Sequence, residues 1–409
     1  MTPRLSVTVD LDCLPAEVFE QIILSITDLR SIYHLVVASP AASRVFVSSQ
    51  VGPKALDSIF SGSMSPDVVA LICLVSLVRT ATSNHAPASS LQDFVEMYTK
   101  CLGRSDSSRP SVAMAPDLAI SLRGQSPQLV RGILLTARSI CCLTWACLEH
   151  YRNQWSLVSP AHLESPFRYG TGYEKPWRQN PRGKLYKPKP IGPACWMEEQ
   201  RIMRGFWRLQ LLFELNLAIS EKRLNWPLED SNRHVDPDIL FQGWTWQREE
   251  FLTVVDFVDH VQGSPVLSSD SRRFPAPPKS YDCVEKWQDP ALPGVIDSRW
   301  SREEMSRLQP PTWTFYITRL VKNAFSPIRG VPFWPYRRLG LAIWEEEKLK
   351  ALEICISYNE PGDYRRGGRP TSMCDQVFTW RSLLSPELIA KLQTDMEVDF
   401  HNGFRFPPR

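Results

Sequence analysis

Residues 141–150, CCLTWACLEH, put Cys141, Cys142, Cys147 and His150 within ten positions. Thiolates and imidazoles are the ligands of tetrahedral zinc, and on a helix Cys147 and His150 share a face. No second cysteine pair follows at finger or ribbon spacing. Buried free thiols in a core helix are therefore the better reading. The stretch NRHVDPD contains His234-x-Asp236, the spacing of a two-histidine, one-carboxylate iron site. Such a site needs another histidine on a β-scaffold, whereas the surroundings read as a polar turn before a helix. In FLTVVDFVDHV, Asp256 and Asp259 share one side of a helix, with His260 four positions after Asp256. A solvated helical face explains all three.

Residues 174–190, EKPWRQNPRGKLYKPKP, carry six Lys/Arg against one acid, with Trp177 and Tyr186 interleaved. Basic side chains can neutralise phosphates and aromatic rings can stack on bases. A proline-rich loop reads more simply, and nucleic-acid contact stays as the alternative. The chain has no glycine-rich phosphate loop, no Gly-x-Ser-x-Gly elbow and no kinase motif set. The expectation is a protein that is not an enzyme and needs no cofactor or metal.

The elements that would position these residues are helical. The chain has 409 residues, 43% hydrophobic and 22% charged, which is globular composition. A net charge of +3 is too mild to argue for nucleic acid or membrane by itself. Ten scattered cysteines, no signal-peptide pattern and no Asn-x-Ser/Thr site favour a reducing compartment, cytoplasmic or nuclear. The run VVALICLVSLV, 68–78, is too short to span a bilayer. Ser65-Pro66 before it reads as an N-cap with proline at the first helical position.

Helical periodicity continues over 91–102, 127–155, 197–224, 246–261, 313–324, 339–356 and 386–396. Residues 103–111 read as a polar linker, 156–195 as a long irregular excursion and 263–279 as a mobile loop. The 14 tryptophans, among them Trp177, Trp244, Trp246, Trp300 and Trp334, fall mostly at helix ends or in loops, where the default is to pack loops onto helices. The fold class is mainly α. Four stretches follow from composition: a small module at 13–60, a helical region at 61–155, the basic Pro/Gly-rich loop at 156–195, and an α-helical C-terminal domain at 196–409 with long Pro-rich loops.

The first stretch carries a pattern. Leu14-Pro15-x-Glu17 leads into Val18-Phe19 and Ile22, Asp28 can cap a second helix, and Ser39-Pro40 can start a third. This resembles the opening of an F-box, and DLRSIYHLVVASPAASRVF is similar to a divergent F-box-like group frequent in fungal proteins. Ala38-Ser39-Pro40-Ala41 stands where the common motif has a Val-Ser-Arg-Arg-Trp-like segment. RIMRGFWRLQLLFEL (201–215) and RRLGLAIWEEEKLKAL (337–352) are similar to stretches in the C-terminal parts of that group. The resemblance implies a three-helix module that binds the Skp adaptor of a cullin–RING ubiquitin ligase, and a remainder that recruits a protein target. It places the adaptor surface on Leu14, Pro15, Val18, Phe19, Ile22, Ile26, Leu29, Ile32 and Leu35, some of which must instead form the module's own core.

Overall fold

The computed structural model describes residues 11–48, 50–82, 84–102, 126–164, 177–231, 234–241, 245–267, 274–276, 310–322, 326–354 and 373–402. Residues 103–111, most of 263–279, Trp244 and Trp300 lie outside them. The fold is mainly α. In chain order the helices are α1 (Ala16–Ser25), α2 (Leu29–Ala38), α3 (Pro40–Ser48), α4 (Val51–Ser63), α5 (Pro66–Thr80) and α6 (Leu91–Cys101). Then come α7 (Pro127–Ser156), α8 (Trp196–Ser220), α9 (Leu228–Ser231), α10 (Thr245–Gln262) and α11 (Pro311–Phe315). The last four are α12 (Trp334–Arg337), α13 (Glu346–Ala351), α14 (Met373–Ser382) and α15 (Pro386–His401).

Local chemistry starts many of these helices. Asp28 accepts from the Ser31 N–H at 2.7 Å, Ser39 from Ala42 at 3.1 Å, and Ser65 from Val68 at 3.4 Å. Ser90 and Ser385 do the same for α6 and α15. Each such cap is worth about 1 kcal/mol. At α3 the cap is doubled. Asp12, in a 3-10 turn at Leu11–Cys13, accepts from the Ser39 hydroxyl and from the Ala41 N–H. A carboxylate there also meets the positive end of the helix.

The chain forms two compact units. One contains Met1–Ala146, Met203–Gly243 and Val261–Arg307; the other contains Cys147–Ile202, Trp244–His260 and Leu308–Arg409. Composition had suggested four consecutive stretches. Composition follows exposure along the chain and does not record which distant segments meet.

In the first unit, Phe19, Ala41 and Ala42 form a buried cluster with Leu14, Leu35 and Val45 against it. Helix α4 packs on α1 and α3, with a Gly52 Cβ position only 2.2 Å from the Phe46 carbonyl oxygen. Helix α5 is buried nearly all round, as a helix without a polar face must be. Arg223 donates at 2.9 Å to the Val78 carbonyl at the α5 C-terminus, which also accepts from the Ala81 N–H. Helix α8 reads as an apolar helix, yet Arg204 and Arg208 are 1% and 0% exposed. Arg204 meets Asp67 at 3.2 Å; Arg208 donates to the Tyr98 hydroxyl at 3.0 Å and lies over the Phe241 ring.

In the second unit, Arg201 donates to the Ile343 carbonyl at 2.6 Å and forms ion pairs with Glu345 at 2.5 Å and Glu250 at 3.7 Å. Lys348 pairs with buried Glu198. Glu199 beside it is pushed up to about 8 by burial and by the Glu198 charge, so it favours the neutral acid. Part of the excursion at 156–195 is ordered as two short antiparallel strands, β1 (Ala161–Leu163) and β2 (Gly183–Leu185), with Ala161 opposite Leu185. Two helical expectations are corrected. Residues 313–324 give α11 and then a π-helical turn at Tyr316–Val321, with 323 and 324 outside the described residues. Residues 339–356 are not one helix. Gly340 takes φ +70° and its N–H bonds back to Arg337 while Leu341 bonds to Tyr336, which ends α12 in a left-handed cap. Helix α13 begins only at Glu346, and 355–356 lie outside the described residues.

Helix α7 is long and apolar enough to cross a membrane by length and composition, but 61% of its most apolar window is buried by the rest of the protein.

Alanine at Gly52 would gain about 1 kcal/mol of helix propensity. The group it would strike is a backbone carbonyl, which cannot swing aside, so the overpacking penalty of about 1–3 kcal/mol should win. Gly52→Ala is expected to lower the urea midpoint of unfolding without changing the slope.

Candidate functional site

The structure divides the nine N-terminal residues. Phe19, Leu29 and Ile32 are buried and belong to the module's own core. Pro15 and Val18 are exposed, while Leu14, Ile22, Ile26 and Leu35 are half-buried. Leu14 stands before the helix, as expected, but it is not a free anchor: it rests on the cluster of Phe19, Ala41 and Ala42. On α1, Phe19 and Ile23 form the inward stripe and Val18 and Ile22 the stripe beside it. Val18 keeps 40% of its surface open; Leu24 and Val37, which the sequence did not single out, keep 44% and 54%. Open apolar side chains on a small capped module are what a partner groove can take up.

The candidates for chemistry disperse. Cys141, Cys142 and Cys147 are buried free thiols along α7, and burial pushes the Cys147 thiol well up, away from the thiolate a metal needs. Among the described residues no three His, Cys, Asp or Glu side chains are placed to hold a metal ion. His234 is exposed, and Asp236 accepts from the Asp238 N–H at 2.9 Å to shape the turn into a 3-10 helix at Pro237–Phe241.

Asp256, Asp259 and His260 are more than a solvated face. In the second unit they form one wall of a cleft of about 590 Å³. His150, Tyr151 and Gln154 of α7 line it as well, with Trp334, Arg337 and Arg338 at α12. The i,i+4 pairs His150/Gln154 and Asp256/His260 were the available signal; nothing local said that the two helices face each other. Trp177 and Trp246 are buried, in keeping with a packing role, whereas Trp334 is 40% exposed at this cleft.

The aromatic residues of the basic segment 174–190 are committed to the protein. Trp177 is 2% exposed and donates to Glu397 at 2.8 Å, while Arg178 grips both oxygens of Glu397 at 2.5 Å. The Tyr186 ring stacks on His162 at 4.2 Å and its hydroxyl donates to the Leu352 carbonyl. Trp177 presents no face for a base, and one face of the Tyr186 ring is covered by His162.

The chain matches no family model, no curated protein and no solved structure.

His162 locks this segment. It lies on β1, 3.3 Å from Asp375 of α14 and 3.0 Å from Glu353, which follows α13 in a left-handed φ of +57°. Bonding to Asp375, opposed by burial and aided by Glu353, raises the imidazole above its ordinary 6.5. A raised histidine gives stability that is fully present below about pH 6.5 and is lost as pH rises through the folded value. The stability margin of the native protein over His162→Gln is therefore expected to shrink as pH rises above about 6.5 in denaturant titrations. A constant margin would mean that the ring acts only by packing.

Proposed function

We propose that this protein is a non-catalytic receptor whose N-terminal helices dock a Skp-type adaptor and whose remainder holds a protein target near a cullin–RING ubiquitin ligase. The observation that carries the proposal is on α1. A Leu14-Pro15 start leads into a helix with one stripe buried at Phe19 and Ile23 and the adjoining stripe open at Val18. A helix that served only its own core would leave no such second stripe. The resemblance of residues 14–46 to the F-box opening supplies the identity of the partner. The mechanism is proximity: a receptor that binds ligase and target together raises the effective concentration of one near the other and needs no reacting group of its own.

Val18 is the residue to change, because Leu14 also packs inside the module. Val18→Asp in the full chain is expected to weaken binding of purified Skp adaptor at least about tenfold, or about 1.4 kcal/mol, by calorimetry. Thermal unfolding should be unchanged. Leu228→Asp, at a position 76% exposed on α9, should bind as the native chain does. Undiminished binding by Val18→Asp, or no adaptor binding by the native chain, would overturn the proposal.

A further inference from the structure

The cleft between α7, α10 and α12 in the second unit has an unusual hydrogen-bond balance. Its carboxylates are taken. Asp256 holds Arg337 at 2.8 Å, with Glu249 on the same guanidinium at 2.7 Å. Asp259 also has a partner. The Tyr151 hydroxyl donates to the Thr253 carbonyl at 2.7 Å and is spent.

Its donors are not. The His150 and His260 rings face each other with centroids 4.7 Å apart, and neither makes a hydrogen bond among the described residues. The Gln154 amide has none there either. Arg338 has no carboxylate partner among the described residues; its guanidinium lies 4.9 Å over the Trp334 ring at the exposed rim. Four side chains with N–H groups to give thus converge on one opening beside a half-open indole.

We propose that this cleft binds a small organic oxyanion, a phosphate or carboxylate carried on a flat ring. Arg338, Gln154, His150 and His260 donate to the oxyanion, and the flat ring packs on Trp334. This goes beyond the adaptor-docking proposal and does not depend on it.

The charges set the pH response. With both imidazoles neutral, Arg337 and Arg338 are outnumbered by Asp256, Asp259 and Glu249, and the cleft repels an anion. Burial, and then the neighbouring His260, hold the empty protein's His150 below its ordinary 6.5. An anion bound beside both rings reverses that repulsion, so it binds together with protons. Affinity must rise as pH falls, and the two histidines must be the source of the rise.

The test uses the full chain, with phenyl phosphate and inorganic phosphate as probes in calorimetry at about pH 7.5 and pH 6. Saturable binding of phenyl phosphate is expected, at least about fivefold tighter at the lower pH. His260→Gln should flatten that pH dependence, and Arg338→Gln should weaken binding at least about fivefold at both pH values. Trp334→Ala should remove the preference for phenyl over inorganic phosphate. His260, Arg338 and Trp334 are exposed, so these variants are expected to keep the native unfolding temperature. Absence of saturable binding by the native chain at millimolar probe would overturn the proposal. So would binding indifferent to both Arg338→Gln and His260→Gln, or stoichiometric zinc uptake through His150 and His260 that excludes the anion.

Discussion

Buried arginines on α8 set the terms for the rest of the structure. Arg201, Arg204 and Arg208 follow one another at three- and four-residue steps, and none is more than 2% exposed. Taking a guanidinium out of water costs several kcal/mol, which carboxylates above all, with other acceptors and aromatic faces, offset in part. In the first unit that demand is met by Asp67 for Arg204, with Tyr98 and Phe241 against Arg208. In the second it is met by Glu250, Glu345 and the Ile343 carbonyl around Arg201. A purely apolar helix could turn or slide against its neighbours with small changes in energy. One carrying these charges has a single register, since any other strands a cation in the interior. Within the second unit the same contacts fix α10 and the turn before α13. Arg337 of α12 is tied in its turn to Glu249 and Asp256 of α10.

The surface carries a surplus of two kinds. At the N-terminal module the surplus is apolar: Val18, Leu24 and Val37 stand open beside a complete internal cluster. At the second unit's cleft it is polar, made of side chains whose N–H groups lack acceptors among the described residues. The occupants proposed for them differ, a protein groove for one and a small anion for the other. Neither requires a nucleophile or a metal, and the buried thiols of α7 supply none.

Features encoded by neighbouring residues were legible in the sequence. Asp28, Ser39 and Ser65 cap the helices their positions suggested, because a cap needs only its own side chain and an N–H three residues on. The mainly α class followed from periodicity for the same reason. What was hidden depends on partners far along the chain. Arg204 looks like a polar break in an apolar helix until Asp67 is beside it. His150 and His260 look unrelated until α7 and α10 face each other. Within the nine N-terminal residues, periodicity marks every apolar side chain alike, and only the arrival of α3 against α1 separates buried Phe19 from open Val18. The split of 339–356 turns on one residue, Gly340, whose left-handed conformation a helical pattern does not announce.

Hydrogen exchange of the full chain, with and without purified Skp adaptor, measures the docking surface most directly. Amides of Ala16–Ser25 and Leu29–Ala38 are expected to slow on complex formation, with α14 and α15 unchanged. Unaltered exchange across both N-terminal helices in the presence of saturating adaptor, or protection confined to the second unit, would contradict a receptor that docks through this module.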